Sequence, residues 1–229
     1  MTSFKRCTTS PEAYVFFDVD DTLISIKSML SFQDFWFEKW GDDTRREHYY
    51  ADLREHMHAD ASWEDLNRLY YGHFAGRKVS KVKACGEAWF AAMNNNKEDF
   101  FHPLPLAELR HHQCEGREVV FVSGSFPALL RPIANHLQVR HILATTMEIA
   151  TGCYTGQILA PQTIGEGKVE AIRTFLLAVG AEANDCYAYG DDISDLPMLD
   201  AVGYPTVVRG GRSLEIHAQR LGWRVISPA

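Results

Sequence analysis

Three short runs of mainly apolar residues, each stopped abruptly by a polar cluster, constrain the fold of this chain most. The runs are Tyr14–Phe17, stopped by Asp18; Glu118–Ser123, stopped by Gly124; and 186–190, stopped by Asp191. Unbroken apolar runs bounded by Gly or Asp are typical of strands buried on both faces, as in a parallel sheet. Helical patterns at 168–179 and 213–221 and further strand patterns at 203–208 and 224–226 accompany them. The alternation predicts an α/β fold with a doubly wound parallel sheet.

The segment between the first two runs has a different character. Positions 24–116 hold 15 of the 27 aromatic residues, and apolar residues recur there every three or four positions, as in Phe32, Trp36 and Trp40. Ser62 followed by Asp65 resembles a capping box and predicts a helix start. The Pro-containing segment 102–105 is expected to break the helical pattern. These periodicities predict a bundle of four helices inserted after the first strand.

The predicted organisation is therefore a core interrupted by a cap. We assign residues 1–23 and 117–229 to the catalytic core and residues 24–116 to the helical-bundle cap domain. A chain of 229 residues is long enough for one large domain that carries a smaller insertion. Nowhere do about 18 apolar residues follow one another, and the first 13 residues lack the apolar run of a signal peptide.

Charge and cysteine content narrow the classes of partner and compartment. The formal net charge is −7, which argues against nucleic acid as a partner because phosphate binding needs a surplus of Lys and Arg. Five cysteines lie far apart, their number is odd, and none forms a CxxC pair. We therefore expect a cytoplasmic protein that acts on a small molecule and has no stable membrane association. The oligomeric state is left open.

Acidic and hydroxyl side chains follow each of the three buried runs. Asp18, Asp20, Asp21 and Thr22 follow the first, Ser123, Gly124 and Ser125 end the second, and Asp191, Asp192 and Asp195 follow the third. Ligands of open α/β sheets bind beyond the carboxyl ends of the strands, where these clusters are expected to meet. Several carboxylates at one edge repel one another, and a divalent cation with a preference for hard oxygen ligands, Mg²⁺, relieves that repulsion.

A lysine and a free carboxylate complete a set of groups suited to phosphoryl transfer. Lys168 stands at a glycine-containing helix start, 165–168, where anions bind readily. Phosphoryl transfer depends mostly on positioning and charge neutralisation, and an aspartate nucleophile divides it into two easier displacements through an aspartyl-phosphate. Asp20, two residues after Asp18, is placed to protonate the leaving alcohol and later to deprotonate water.

The order of these motifs resembles that of the haloacid dehalogenase-like (HAD) superfamily, and within it the phosphoserine-phosphatase-like subfamily IB with a helical cap. The first motif, DxDxT, is Asp18-Val-Asp20-Asp-Thr22; the serine of the second is Ser123; the lysine of the third is Lys168; and the fourth, GDxxxD, runs from Gly190 to Asp195. The resemblance covers nearly the whole chain and identifies it as a candidate phosphoric monoester hydrolase.

The resemblance also implies a role for each motif residue. It makes Asp18 the nucleophile and a Mg²⁺ ligand, Asp20 the general acid and base and a ligand through its backbone carbonyl, Asp191 a further metal ligand and Asp195 a supporting one; it assigns phosphate binding to Thr22, Ser123, Gly124 and Lys168. The function that it implies is Mg²⁺-dependent hydrolysis of a small phosphorylated metabolite through an aspartyl-phosphate. A phosphotransferase that passes the phosphoryl group to another alcohol and a catalytically silent binding module remain the alternatives.

Two departures from the resemblance bear on the substrate. Phosphoserine phosphatases carry a carboxylate shortly after the first motif, whereas this chain has Lys27 there and no acid between 23 and 30. We therefore expect phosphoserine to be turned over more slowly than a monoester with a larger, apolar or ring-containing leaving group. Lys27 is interpreted as a surface lysine or a contact to a substrate anion. The second departure is the sequence Val-Val-Arg-Gly-Gly at 207–211, where relatives commonly have an Asn-Pro-Asp turn. Arg209 is interpreted as a residue of this loop within reach of a substrate anion. Asp21 and Asp192 are interpreted as loop-stabilising residues.

Overall fold

Six parallel strands form the central sheet of the computed structural model, which describes residues 13–41, 43–57, 61–96 and 99–229. Along the sheet the strands lie in the order β3–β2–β1–β6–β7–β8, with β1 (Tyr14–Phe17), β2 (Glu118–Ser123), β3 (His141–Ala144), β6 (Tyr187–Gly190), β7 (Tyr204–Val208) and β8 (Arg224–Ile226). Their observed positions confirm the predicted doubly wound parallel sheet. The first twelve residues, which include Cys7 and the start of the predicted core segment 1–23, lie outside the described residues.

Strand β1 shows why the apolar runs are continuous. Every one of its residues is buried, and alternate side chains serve opposite faces of the sheet. On one face Phe17 stacks on Tyr189 with a centroid distance of 4.2 Å, while on the other Tyr14 and Phe16 pack edge-on against Phe175. A strand covered on both sides has no solvent-facing position, so the sequence shows no polar alternation.

Nine α-helices are present in the described residues, and four of them lie between β1 and β2 before a fifth leads back to the sheet. They are α1 (Ser28–Trp40), α2 (Asp43–His56), α3 (Trp63–Gly72), α4 (Val79–Asn96), α5 (Pro103–Cys114), α6 (Pro127–His136), α7 (Glu166–Val179), α8 (Leu196–Asp200) and α9 (Arg212–Leu221). Helix α5 packs against β2. The division into a core and a cap domain at residues 23 and 117 stays a prediction.

The helix starts show one confirmed and one wrong expectation. The hydroxyl of Ser62 caps α3 by accepting a hydrogen bond from the amide of Asp65, as the capping pattern predicted. The prolines at 103 and 105, in contrast, do not break the helical pattern but stand at the beginning of α5. A proline in the first turn of a helix is favourable because the missing amide hydrogen has no partner there.

A two-stranded antiparallel hairpin, which the sequence analysis did not predict, follows β3. It consists of β4 (Thr146–Ala150) and β5 (Cys153–Leu159), joined by Thr151 and Gly152, both with positive φ. Strand β5 packs against α3, and the amide of Gly76 donates to the carbonyl of Tyr154. The hairpin therefore supports the inserted helices from the side of the sheet.

Among the described residues, no helix is both long and apolar enough to span a bilayer.

Candidate active site

The polar clusters that follow β1, β2 and β6 meet at one edge of the sheet. Strand β1 pairs in parallel with both β2 and β6, and the amide of Asp18 extends the ladder by donating to the carbonyl of Tyr189 at 2.9 Å. Of the predicted site residues, seven line one cavity of about 280 Å³: Asp18, Asp20, Ser123, Gly124, Lys168, Asp191 and Asp195. Thr22 is fully buried and lies behind Asp191. The sheet thus brings together residues that are up to 177 positions apart in the chain.

Lys168 connects two of the acids from the first turn of α7. Its Nζ donates to Asp18 Oδ1 at 2.6 Å and to Asp195 Oδ1 at 2.5 Å, and all three residues are buried. Burial alone lowers the pKa of the lysine, but the two carboxylates outweigh it, so that the pKa is raised and the ammonium form is stabilised. A Cβ at Gly167 would lie 1.7 Å from the carbonyl oxygen of Gln162, so only glycine lets α7 begin where it presents Lys168.

Asp191 and Asp195 are held in place by the loop that follows β6. Thr22 Oγ1 donates to Asp191 Oδ1 at 2.6 Å, and Asp195 Oδ2 accepts hydrogen bonds from the amides of Asp191 and Asp192 at 3.1 and 3.3 Å. The side chain of Asp192 accepts from the amide of Ser194 and closes a capping box on a short 3₁₀ turn. This contact supports the interpretation of Asp192 as a loop-stabilising residue.

The carboxylates of Asp18, Asp191 and Asp195 fit a divalent cation. Each offers one oxygen, and these oxygens lie within 4.8 Å of one another. Lys168 pairs with two of these buried carboxyl groups, those of Asp18 and Asp195, whereas Asp191 accepts a hydrogen bond from the hydroxyl of Thr22. Burial and mutual repulsion raise the pKa of Asp18 well above its usual range and that of Asp191 to about 7. A hard cation with oxygen ligands, such as Mg²⁺, would relieve this charge conflict.

Asp20 faces the cavity with its carboxyl group but does not belong to that cluster of three. Its Oδ2 accepts hydrogen bonds from the amide and the hydroxyl of Ser28, each at 3.0 Å. Its Oδ1 is buried without a hydrogen-bond partner among the described residues. Burial raises the pKa of Asp20 to about 6, against the opposing effect of the bonds from Ser28. One oxygen is thus fixed and the other is available for proton transfer. The predicted metal contact of Asp20, through its backbone carbonyl, stays a prediction.

The turn after β2 is held by helix α3 of the inserted segment. Asn67 Nδ2 and the hydroxyl of Tyr71 both donate to the carbonyl oxygen of Gly124, at 3.0 and 2.8 Å. Within the turn, the amide of Ser125 donates to Ser123 Oγ at 3.1 Å. A Cβ on Gly124 would lie 2.8 Å from Cγ1 of Ile164, so the turn tolerates no larger residue without a shift. The turn that is expected to bind phosphate is thus held by hydrogen bonds from the inserted helix α3.

Sequence reasoning missed three residues of this site: Ser28, Asn67 and Tyr71. Ser28 is eight residues from Asp20, and its position at the first turn of a helix was a usable signal, since the expected catalytic acid lies nearby. Asn67 and Tyr71 lie more than fifty residues from Gly124 in the chain. Their contacts depend on how α3 packs against the turn after β2, and no local sequence pattern predicts that packing.

The cationic residues singled out in the sequence differ in position. Lys27 lines the cavity, forms an ion pair with Asp21 at 2.9 Å and lies 5.4 Å from the ring centre of Trp63. Asp21 raises the pKa of Lys27 despite the opposing effect of burial. Arg209 forms an ion pair with Glu215 on the surface, with Nε–Oε2 at 3.3 Å, and is not among the described residues that line the cavity.

A sequence profile of the haloacid dehalogenase-like hydrolases matches residues 15–200, a range that contains all of the motif residues described above. The chain belongs to the haloacid dehalogenase-like hydrolase family. This HAD protein is 36% identical over 230 residues to a probable phosphatase of Mycobacterium tuberculosis, with 96% of this chain and 77% of that protein covered. It is 26% identical to a phosphoserine phosphatase of the same species, over 93% of this chain and 70% of the relative.

Solved structures agree with the fold of the HAD protein. A protein of unknown function from Bordetella pertussis superposes with a TM-score of 0.83 at 26% identity and covers 95% of this chain and 99% of its own. A phosphoserine phosphatase with a phospho-aspartyl intermediate analogue superposes with a TM-score of 0.64 at 16% identity, over 95% of this chain and 93% of the other. The second likeness shows a shared fold.

Proposed function

We propose that this HAD protein is a Mg²⁺-dependent phosphatase that hydrolyses a small-molecule phosphate monoester through an aspartyl-phosphate on Asp18. The observation that carries the proposal is the convergence of Asp18, Lys168, Asp191 and Asp195 in one buried cluster. The names of two relatives, a probable phosphatase and a phosphoserine phosphatase, support the same reaction class. A phosphorylated metabolite is the corresponding partner.

In the first step Asp18 attacks phosphorus. Lys168 holds Oδ1 of Asp18 at 2.6 Å, so the other carboxylate oxygen forms the new bond to phosphorus while the bond from phosphorus to the alcohol oxygen breaks. Asp20 gives its proton to that alcohol oxygen from Oδ1, the oxygen that Ser28 does not hold. The turn at Ser123 and Gly124 and the ammonium of Lys168 bind the phosphoryl oxygens.

In the second step water replaces the aspartate. Asp20, now ionised, takes a proton from the attacking water, and the bond between phosphorus and Asp18 breaks to release inorganic phosphate. A bound Mg²⁺, held by Asp18 and Asp191 with support from Asp195, would neutralise the charge on the phosphoryl oxygens. The contacts from Asn67 and Tyr71 to Gly124 keep the phosphate-binding turn in position throughout both steps.

Phosphate release from a panel of phosphorylated metabolites and a generic aryl phosphate tests this proposal. We expect turnover with Mg²⁺, none with EDTA, and at least a 10⁴-fold lower kcat in Asp18→Asn, whose fold is checked by circular dichroism, because a carboxamide is a poor nucleophile. Turnover that persists in Asp18→Asn would contradict the aspartate mechanism. No phosphate release from any member of the panel would contradict the phosphatase. If, in addition, no new phosphate ester forms when an alcohol is added as acceptor, the transferase is contradicted as well.

A further inference from the structure

The cavity that contains Asp18 has a second wall, built from the inserted helices, and this wall is apolar. Helix α1, the end of α2 with the residue that follows it, and helix α3 contribute its side chains: Met29, Leu30, Leu53, Met57, Trp63 and Leu66. Two of these are methionines, whose flexible and polarisable side chains adapt to ligands of different shape. Both walls line the same cavity, so the leaving group of a phosphate bound at Asp18 and Lys168 would lie beside the apolar wall.

Two polar side chains of α3 next to this wall, those of Tyr70 and Asn67, already have partners within the protein. The hydroxyl of Tyr70 donates to the carbonyl of Met29 at 2.9 Å. The side chain of Asn67 donates to Gly124 and accepts from Gln162 Nε2 at 3.0 Å. A polar group of the leaving group that lies against these side chains would lose water without gaining an equivalent partner, which is unfavourable. Lys27, the cation that lines the cavity near Trp63, is already paired with Asp21 at 2.9 Å.

The apolar wall continues to the surface. Leu30, Met57 and Trp63 line the cavity, yet they are 38%, 58% and 44% exposed. Large apolar side chains at the mouth of a cavity lose their contact with water when a ligand covers them. We call these three residues the rim. An apolar body that starts at the phosphate would therefore remain in contact with apolar side chains from the interior to the rim.

We infer that the substrates are phosphate monoesters of an apolar alcohol, whose alkyl chain lies along the inserted helices and extends over the rim. This inference rests on the proposed function, because it assigns the leaving group for the same reaction. Within the cavity, each additional methylene that leaves water is expected to raise kcat/KM about fourfold. O-phosphoserine, whose leaving group is small and carries both an ammonium and a carboxylate, is expected to be a poor substrate.

A series of soluble alkyl phosphates tests the inference by chain length. We expect kcat/KM to rise at least 30-fold from methyl through butyl to octyl phosphate, each below its aggregation concentration, and O-phosphoserine to rank with methyl phosphate or below. Presenting a longer alkyl phosphate in phosphatidylcholine vesicles distinguishes a membrane-borne source from a dissolved one, since faster turnover in one form identifies it. Equal kcat/KM along the series, or a preference for O-phosphoserine, would overturn the inference while leaving the phosphatase in place.

Variants of the rim residues test whether the dependence of kcat/KM on chain length arises at the rim. Met57→Ser is expected to lower the ratio of kcat/KM for octyl phosphate to that for methyl phosphate by about threefold to tenfold. Leu177 on α7 is 84% exposed and does not line the cavity, so Leu177→Ser is the matched control and should leave the ratio unchanged. A ratio unaffected by Met57→Ser and by Leu30→Ser would remove the rim from substrate binding.

Binding without turnover separates this inference from the proposed function. Octylphosphonate carries the same chain on a phosphorus that the enzyme cannot release as phosphate. We expect it to bind at least tenfold more tightly than methylphosphonate by calorimetry and to change tryptophan fluorescence in a way that is lost in Trp63→Phe. If no monoester is hydrolysed but this preference holds, the proposed reaction is wrong and the binding site stands. If both phosphonates bind equally, the inference is wrong.

Discussion

The two walls of the cavity are built on different principles. The wall at the sheet edge is polar, and hydrogen bonds hold its side chains in place. Lys168 donates to both Asp18 and Asp195, and Thr22 donates to Asp191. The wall from the inserted helices is apolar, and part of it is exposed at the rim. A cluster of buried charges requires every group to be placed accurately, whereas apolar contacts tolerate variation in shape. The polar wall therefore suits the proposed phosphoryl transfer, and the apolar wall suits selection among leaving groups.

Helix α3 joins the two walls at the carbonyl oxygen of Gly124, which we call the junction. Helix α1 joins them a second time, through the hydrogen bonds from Ser28 to Asp20. Helix α3 presents Trp63 and Leu66 to the cavity, and Asn67 and Tyr71 to the turn at Gly124. Docking of the apolar wall and placement of the turn are thus consequences of the same helix position. Mutations in each wall should consequently have separable effects, and mutations at the junction should affect all substrates.

The largest effect is expected from the removal of the metal. EDTA should reduce turnover of every substrate below detection, and added Mg²⁺ should restore it, because the charge of the three clustered carboxylates is then balanced. Saturating Mg²⁺ should also raise the Tm of the wild-type protein by about 5–10 °C. Asp191→Asn should lose most of that shift in differential scanning fluorimetry. Full turnover in EDTA would show that the polar wall works without a cation.

Replacing Asp20, the proposed general acid, should have the next largest effect. Asp20→Asn is expected to lower kcat for alkyl phosphates by about 10³-fold, because neither the leaving alcohol nor the attacking water is then assisted. With p-nitrophenyl phosphate, whose leaving group needs no proton, the variant should show a rapid burst of one nitrophenolate per chain followed by slow turnover. Stopped-flow absorbance measures this burst. Equal losses for both kinds of substrate, without a burst, would assign Asp20 a merely structural role.

Changes at the junction should have a moderate effect that does not depend on the leaving group. Asn67→Ala is expected to lower kcat/KM about tenfold and Tyr71→Phe about threefold for methyl and octyl phosphate alike, because the turn at Gly124 loses a donor. Steady-state kinetics with both substrates checks this. Tyr49→Phe is the matched control, since the buried hydroxyl of Tyr49 has no hydrogen-bond partner among the described residues. A loss confined to octyl phosphate would place these residues in the apolar wall instead.

The smallest effect is expected at Lys27. Its side chain and that of Asp21 are about 40% exposed, and an ion pair of that kind contributes less than about 1 kcal/mol to the free energy of unfolding. Lys27→Met should change kcat/KM for alkyl phosphates by less than about threefold. Lys81→Met, which removes an ammonium 4.2 Å from the ring centre of Trp40 outside the cavity, serves as control in the same kinetic and urea-unfolding experiments. A loss of tenfold or more at Lys27 alone would make it a contact to a substrate anion.

The polar wall could largely be predicted from the sequence because its residues follow strands at short, fixed spacings. Asp18, Asp20, Asp191 and Asp195 lie within a few residues of β1 or β6, and strand order alone brings them to one edge. Lys168 could be located because glycines accompany a helix start. For these residues, local pattern and tertiary position coincide.

The junction and the apolar wall could be predicted only in outline. The aromatic residues of the inserted segment indicated helices. A period of three or four residues does not, however, say which side chains face the cavity and which are buried between the helices. Trp36 and Trp89, for example, are buried, whereas Trp63 is on the rim. In the hairpin of β4 and β5, Gly152 was the one usable turn signal, since tight hairpins need positive φ at the turn and glycine adopts it readily. Thr151 also has positive φ, but threonine rarely adopts it, so its sequence position did not indicate a turn.

The most direct test of the account is to trap the phosphoryl group on the chain. Protein mixed with Mg²⁺ and a substrate is quenched in acid within milliseconds, digested and analysed by mass spectrometry. The account predicts one added phosphoryl group on the peptide that contains Asp18, removable by hydroxylamine and absent in Asp18→Asn. Phosphate release without any phosphopeptide, or a phosphoryl group on a different residue, would contradict the assignment of Asp18 as the nucleophile.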